Sequence, residues 1–158
     1  MPEAERREAI LRGAFEVAAR DTLAGLSMRA VAEAAGVSKG LVFFHFDDKE
    51  RLLLALLDWM LEQGPRVELP PDLPEAGEAH PARRLLRVVE HQVALLEKRP
   101  ARVEVFLDFW VMGTSVPEVQ KRIHEGFERY RQDFLPYTRA VAEALPDRFD
   151  DETTQGLA

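Results

Sequence analysis

The segment Lys39 to His45, KGLVFFH, combines the polar side chains of Lys39 and His45 with two adjacent aromatic rings. If the segment is helical, Phe43 and Phe44 point about 100° apart, so at least one ring lies near the surface. An exposed ring is unfavourably hydrated, and contact with the thymine methyl groups or sugars of DNA would remove that cost. The alternative is that Phe43 belongs to the core and Phe44 faces a protein partner.

Two short helices are predicted to position this segment. Ser27 is a suitable N-cap for a helix from Met28 to Ala35, and Ser38 for a helix from Lys39 to Phe46. Gly36 lies between them, where a helix end needs a left-handed residue without a Cβ. The side chains expected to face inward from the second helix are Leu41, Val42 and Phe46. This layout is a helix-turn-helix, whose second helix can enter the major groove of DNA.

The stretch VSKGLVFFHFDDKERLL resembles the recognition-helix signature of the tetracycline-repressor (TetR) family of one-component transcriptional regulators. The matching residues are Val37, Ser38, Lys39, Gly40, Leu41, Val42, Phe43, Phe44, His45, Phe46, Lys49, Glu50 and Leu52. With the preceding helix, the resemblance covers about residues 5–60. Phe43 and Phe44 depart from the tyrosines usual in the family, and Leu41 replaces a small hydroxylated residue. The base preferences are therefore expected to differ.

The resemblance implies an all-α protein with a three-helix helix-turn-helix domain over residues 1–47. A helical effector-binding and dimerisation domain would follow over residues 48–158. The implied partners are a second copy of the chain and a pseudo-palindromic operator in double-stranded DNA. The residues expected to contact DNA are Ser27, Arg29, Ser38, Lys39, Gly40, Leu41, Phe43, Phe44, His45 and Lys49. The implied role is a repressor that a small effector releases from its operator.

Two of these residues have physical arguments of their own. Arg29 stands near a helix N-terminus, where the macrodipole favours anions. A bound phosphate would interact favourably with both the helix end and the Arg29 cation. The alternative is an exposed ion pair with Glu33, four residues later. Gly40 costs about 1 kcal/mol of helix propensity, which close approach of the backbone to DNA would explain.

The first and third helices are predicted on either side of this motif. Apolar periodicity predicts a helix from Pro2 to about Arg20, followed by a turn over Asp21 to Gly25. Arg6 or Arg7 on its polar side either reaches a phosphate or is simply solvated. Asp47 to Glu50 reads as a capping box with Asp47 as the cap, and the helix it opens runs to about Gln63.

The second half begins with a connector over Gly64 to Pro81, whose prolines and glycines exclude a helix. Val67 and Leu69 are expected to pack and so to order part of it. Three helical patterns follow, over residues 82–99, 101–114 and 117–145, the last with a kink expected near Pro136. Residues 150–154 resemble the start of another helix, so the chain is expected to stop before the last helices of a TetR-like protein.

Large side chains are concentrated between Val103 and Met112. A packed helical core explains this stripe without any ligand. The TetR resemblance instead implies an effector pocket between helices, and its adaptable apolar lining favours a small apolar or aromatic effector, for example an acyl thioester. The residues expected to line it are Trp59, Met60, His91, Phe106, Phe109, Trp110 and Phe127.

Other kinds of chemistry have little support in the sequence. Glu104 and Asp108 are four residues apart and form an acid pair, but no nucleophile, metal-ligand cluster or glycine-rich phosphate loop accompanies them. We therefore expect no enzyme, no metal site and no cofactor. A helical small-molecule-binding or adaptor protein that does not read DNA remains the competing hypothesis.

Composition limits the possible partners and location. The 158 residues carry 21 Lys or Arg against 28 Asp or Glu, a net charge of −7. Residues 1–64 have eight Lys or Arg and eleven Asp or Glu, so strong non-specific DNA affinity is not expected. No stretch is apolar enough to span a membrane, and no signal peptide or cysteine is present. These features favour a cytoplasmic protein without membrane contact.

Overall fold

The computed structural model describes residues 2–63 and 67–145, and within these ranges it contains seven α-helices and no strand. The helices are α1 (Glu3–Gly25), α2 (Met28–Ala35), α3 (Lys39–Phe46), α4 (Lys49–Gln63), α5 (Pro81–Lys98), α6 (Pro100–Gly113) and α7 (Pro117–Ala144). The all-α class is therefore confirmed. None of these helices is long and apolar enough to cross a membrane. The helix expected over residues 150–154 lies outside the described ranges.

The described residues form two compact units. Unit 1 combines residues 2–63 with residues 100–124, and unit 2 combines residues 67–99 with residues 125–145. Helix α6 and the beginning of α7 therefore belong to the same unit as the helix-turn-helix, although more than fifty residues separate α3 from α6 in the chain.

Helix α1 extends further than its apolar pattern predicts. It ends at Gly25, but its backbone breaks at Thr22, where φ is 62° and ψ is 169°. The turn predicted over residues 21–25 is thus a local break within one helix. Leu23 and Leu26, on either side of the α1 end, are buried and hold this segment against the core.

The predicted caps of α2 and α3 are confirmed. The Ser27 hydroxyl accepts a hydrogen bond from the Ala30 amide at 3.2 Å, and the Ser38 hydroxyl accepts one from Leu41 at 3.2 Å. Gly36 has a φ of 65°, the left-handed conformation predicted for it. Each cap satisfies an amide that the first turn of a helix leaves unpaired. The start of each helix is therefore fixed by a hydrogen bond between the serine and the residue three positions later.

The predicted cap of α4 is wrong by one residue. Asp48, not Asp47, accepts the capping hydrogen bond, from the Arg51 amide at 2.8 Å. Asp47 has a φ of 55° and its amide donates to Phe43, so it terminates α3 instead. Since the connection between the two helices is only two residues long, Asp47 cannot be both the end of α3 and the cap of α4. Arg51 occupies the position where a capping box would need Glu or Gln.

A single apolar core runs through unit 1. Its buried residues come from six helices and include Ile10, Ala14 and Val17 in α1, Val31 in α2, Val42 in α3, Leu52, Leu56 and Leu57 in α4, Val105 and Phe109 in α6, and Val119 and Ile123 in α7. Leu41 packs against this core, while Val42 and Phe46 belong to it, as predicted. The inner side of α3 is therefore anchored, which leaves its other side to solvent.

In unit 2, polar contacts hold the connector beside α5. The Gln92 side-chain amide donates to the Glu68 carbonyl at 2.6 Å, and the Arg99 guanidinium pairs with the Glu68 carboxylate at 2.9 Å. The amide of Val67 donates to Asp133 at 3.3 Å. The expectation that Leu69 packs is wrong, since half of its side-chain surface is exposed. Hydrogen bonds, more than apolar burial, order this connector.

Candidate nucleic-acid interface

The outward face of α3 is the surface on which the predicted DNA contacts depend. Phe44 is 76% exposed and Phe43 is 39% exposed, and Lys39 and Gly40 are exposed beside them. Phe43 is therefore not a core residue, which removes the alternative in which it is buried. Val42, between Lys39 and Phe43 in the chain but on the opposite face, is fully buried.

Contacts between side chains organise this face. The Lys39 ammonium lies 5.4 Å from the centre of the Phe43 ring, a cation–π arrangement. The rings of Phe44 and His45 meet edge to face with their centres 5.4 Å apart. No acidic residue occurs between Ala34 and Phe46. The face thus presents a cation and two apolar rings without a neighbouring carboxylate in sequence, a combination suited to acceptor groups and methyl groups of base edges.

Ser27 and Ser38 lie at the starts of α2 and α3 and are both exposed. Each hydroxyl oxygen is used as an acceptor by its own helix. The hydroxyl hydrogens remain as donors, because an acceptor role uses only the lone pairs. Both residues can therefore cap a helix and donate to a phosphate at the same time.

Arg29 forms the exposed ion pair with Glu33 that the sequence offered as one alternative. The guanidinium Nε lies 2.9 Å from the carboxylate, and the hydrogen bond and the charge of Glu33 raise the pKa of Arg29. The Arg29 side chain is 82% exposed, so this pair is in contact with water. Exposed pairs of this kind contribute little to stability, so a phosphate can replace Glu33 as the partner.

Lys49 has a role that the sequence did not reveal. Its ammonium donates to the backbone carbonyl of Ala24 at 3.0 Å, which links the first residue of α4 to the end of α1. A lysine ammonium has three N–H groups, and this bond uses one of them. The predicted phosphate contact of Lys49 stays a prediction, now for a side chain that also holds two helices together.

Arg7 is brought to α3 by tertiary packing. Its guanidinium lies 5.4 Å from the centre of the Phe46 ring, near the C-terminal end of α3. The sequence left two alternatives for Arg6 and Arg7 on the polar side of α1: a solvated side chain, or a contact with a phosphate. Phe46 belongs to the core side of α3, so this contact places Arg7 beside the C-terminal end of α3 and not on its outward face.

The residues predicted to line an effector pocket are divided between the two units. Trp59, Met60, Phe106, Phe109 and Trp110 lie in unit 1, and His91 and Phe127 lie in unit 2. Met60 and Phe109 are buried in the core, whereas half of the Trp110 surface is exposed. The Trp59 ring lies 6.1 Å from that of Phe15, and the Phe106 and Trp110 rings are 6.5 Å apart.

The two acidic residues of α6 lie in different surroundings. Glu104 is exposed, whereas the Asp108 carboxylate is partly buried and accepts a hydrogen bond from the Leu23 amide at 3.1 Å. Asp108 thus binds the backbone of α1. This contact is structural, and the spacing of acidic residues in the sequence does not predict it. Nothing in the sequence indicates this hydrogen bond, because the two partners are 85 residues apart.

Comparison with known proteins agrees with this arrangement. The profile of the bacterial regulatory proteins of the tetR family matches residues 10–56, and that of the C-terminal part of BetI-type transcriptional repressors matches residues 81–158. The chain belongs to the tetR family. The first match begins within α1 and ends within α4, so it includes both helices of the helix-turn-helix.

One curated relative matches part of the chain. The HTH-type transcriptional repressor AcnR of Corynebacterium efficiens is 46% identical over 50 residues, which is 32% of this chain and 27% of AcnR. The match therefore spans about a quarter of the length of this curated relative.

Two solved structures share the fold of the TetR-family chain. A transcriptional regulator from Saccharomonospora viridis in complex with choline has a TM-score of 0.71 and 21% identity, covering 98% of this chain and 78% of that one. AibR, in complex with isovaleryl coenzyme A and operator DNA, has a TM-score of 0.66 and 21% identity, covering 96% of this chain and 81% of AibR.

Proposed function

We propose that this TetR-family protein is a ligand-responsive transcriptional repressor that binds DNA through α3. It would act in the cytoplasm as a homodimer on a pseudo-palindromic operator, with residues 1–47 as the DNA-binding domain and residues 48–158 as the effector-binding and dimerisation domain. The observation that carries the proposal is the outward position of Lys39, Phe43 and Phe44 on a helix whose opposite side is fixed in the core. A homodimer fits because two half-sites about 34 Å apart lie on the same side of the duplex.

The charge of the protein favours a second candidate, a helical small-molecule-binding or adaptor protein that does not read DNA. The net charge is −7, and unspecific attraction to phosphates is weak for an acidic protein. Local charge decides the matter at short range, since charges further apart than about 8–10 Å are largely screened at physiological salt. The acid-free stretch around α3 therefore supports sequence-specific binding over general affinity for DNA.

Gel shifts at two salt concentrations separate these two functions. The probe is the promoter region beside the protein's own gene, and the control is a fragment of the same length and base composition in scrambled order. A DNA-reading protein retards the promoter fragment at both salt concentrations and the scrambled fragment weakly or not at all. Equal retardation of both fragments, or of neither, would contradict DNA reading by α3.

Replacing Lys39 with alanine is expected to change base preference. A side chain that contacts base edges contributes to discrimination, so its loss should lower the ratio of specific to random affinity about tenfold. Competition binding with the two fragments measures this ratio. Arg12→Ala is the matched control, because Arg12 is an exposed cation of α1 already paired with Glu8. A Lys39 variant that loses affinity for both fragments equally would identify a phosphate contact instead.

Replacing Gly40 with alanine is expected to separate folding from binding. A Cβ at this position would meet only the Ser38 hydroxyl oxygen, at 3.9 Å, so the fold accepts it. Because alanine has a higher helix propensity than glycine, the substitution should raise the free energy of unfolding by up to about 1 kcal/mol. If the α3 backbone approaches DNA closely, the added methyl group should weaken operator binding about tenfold. Urea unfolding and fluorescence anisotropy measure the two effects, and an unchanged affinity would argue against close approach.

The proposed effector is a small apolar or aromatic molecule, with an acyl thioester as the leading candidate. The five predicted lining residues of unit 1 supply four aromatic side chains and one Met, and the structure of AibR with isovaleryl coenzyme A is a precedent in a protein of the same fold. The Trp59 indole nitrogen is buried and has no hydrogen-bond partner among the described residues, so it is a donor available to an effector. An effector that weakens operator binding a hundredfold must favour the released conformation by about 2.7 kcal/mol.

A thermal-shift comparison tests the effector class. Isovaleryl coenzyme A should raise the Tm of the protein, and choline, bound by the Saccharomonospora viridis regulator, is the polar cationic comparison. The Trp59→Phe variant keeps an aromatic side chain, although a smaller one, and removes the indole N–H donor. A response to choline and small polar metabolites alone would contradict an apolar effector.

A further inference from the structure

The break in α1 at Thr22 is a strained point of the backbone. Its φ of 62° and ψ of 169° fall in a region that is essentially reserved for glycine. Threonine is β-branched, which makes this conformation still less favourable. Such a conformation persists only where the surrounding structure holds it. The residues that follow Thr22 must therefore be held by contacts with other parts of the protein.

Two charged side chains hold the segment after the break. The Leu23 amide donates to the Asp108 carboxylate of α6 at 3.1 Å, and the Ala24 carbonyl accepts from the Lys49 ammonium at the start of α4 at 3.0 Å. A helix that breaks loses backbone partners, and here side chains from two other helices supply them. Leu23 itself is buried, which places its bond to Asp108 in partly buried surroundings.

This segment leads directly into the DNA-binding helices. Leu26 is buried two residues after Ala24, and Ser27 then caps α2. Any relaxation of the break therefore shifts the start of α2, and α3 follows after a connection of three residues. The position of α6 is in this way connected through Asp108 to the orientation of α3.

We propose that Asp108 is a positioning residue that latches the strained break at Thr22 and so couples α6 to the helix-turn-helix. Lys49 is the second fastening of the same segment. When α6 moves away, the Leu23 amide loses its partner, the backbone at Thr22 relaxes and α2 loses its fixed start. This inference rests on the proposed function only in its last step, where the displaced α3 binds the operator less tightly.

Amide hydrogen exchange of the full chain tests the latch without DNA. Asp108→Ala is expected to speed exchange at Leu23 and at the buried α2 and α3 positions Val31 and Val42 about tenfold, the effect of losing a hydrogen bond to a charged group. Glu104→Ala is the matched control, because Glu104 is an exposed carboxylate one turn earlier on α6. Asp108→Asn keeps an acceptor oxygen and should lie between the wild type and Asp108→Ala.

The variant Thr22→Gly distinguishes a latch from a general packing role. Glycine adopts the observed conformation without strain, so the break no longer needs to be held. In the double variant Thr22→Gly/Asp108→Ala, exchange at Val31 and Val42 should return towards the wild-type rate while Leu23 stays fast. The absence of this rescue, or an equal effect of Glu104→Ala, would overturn the proposal.

Operator affinity provides the second readout, using the promoter fragment described above. Asp108→Ala should weaken binding about tenfold, and Thr22→Gly in the same chain should restore most of it. If the wild-type protein does not bind the fragment, the proposed function fails, while the exchange rates still decide whether the latch exists. If exchange behaves as expected but affinity does not change, the coupling to DNA binding is refuted.

Discussion

Replacing Phe109 with alanine is expected to lower the free energy of unfolding by about 3–5 kcal/mol. Phe109 lies on α6, is fully buried, and belongs to the apolar core that also contains residues of α1 to α4. Removing its ring combines the lost burial with the cost of the cavity left behind, which neighbouring helices can fill only in part. Since a domain of this kind is stable by about 5–15 kcal/mol, this loss would leave little stability.

Urea unfolding followed by circular dichroism measures the effect, and Leu107→Ala is the matched control. Leu107 is on the same helix but 54% exposed, so its truncation should cost less than about 1 kcal/mol. Phe109→Leu fills most of the volume and is expected to lie between the two. Equal losses for Phe109→Ala and Leu107→Ala would show that α6 does not belong to the core of unit 1.

Replacing Gly13 with alanine is expected to lower the free energy of unfolding by about 1–3 kcal/mol, although alanine is the better helix former. Gly13 is buried in α1 where α2 crosses it closely. A Cβ added there would lie 2.8 Å from the backbone nitrogen of Ala35 and 3.0 Å from its Cβ. Because the nearest atom belongs to the backbone, a whole helix would have to move.

Gly40→Ala is the internal comparison for this prediction, since both substitutions exchange the same residues within α-helices. The two substitutions should change the free energy of unfolding in opposite directions, because a Cβ at Gly40 meets nothing closer than 3.9 Å. A displaced α2 would also carry α3 with it, so Gly13→Ala should weaken operator binding even under conditions in which the variant is fully folded. A Gly13 variant as stable as the wild type would mean that α1 and α2 are further apart than the structure shows.

The local parts of the helix-turn-helix were predicted closely. Ser27, Gly36 and Ser38 were assigned their capping and turn roles from spacing, and all three have them. Each role involves groups within about four residues, so the sequence contains everything needed to recognise it. The same reasoning failed at Asp47, where two helix ends compete for one residue and the termination of α3 takes precedence.

The exposure of the aromatic residues was predicted only in part. Spacing alone required one of Phe43 and Phe44 to lie near the surface, and packing left both there. Leu69 is the opposite case: it was expected to be buried and is half exposed. A hydrophobic side chain does not carry information about which neighbour will cover it, so its burial depends on the arrangement of the whole unit.

The amino-acid sequence by itself determined the helical class, the helix-turn-helix with its caps, and the family to which these residues belong. The helical class and the caps depend on periodicity and on hydrogen bonds between near neighbours, which spacing records directly, whereas the family follows from the resemblance of residues 37–52 to the TetR signature. Only the tertiary structure decided that α6 packs with the helix-turn-helix and that Asp108 and Lys49 hold the end of α1. The close packing of α2 against α1 at Gly13 was likewise decided only there. These contacts join residues far apart in the chain, and their geometry is set by how whole helices pack.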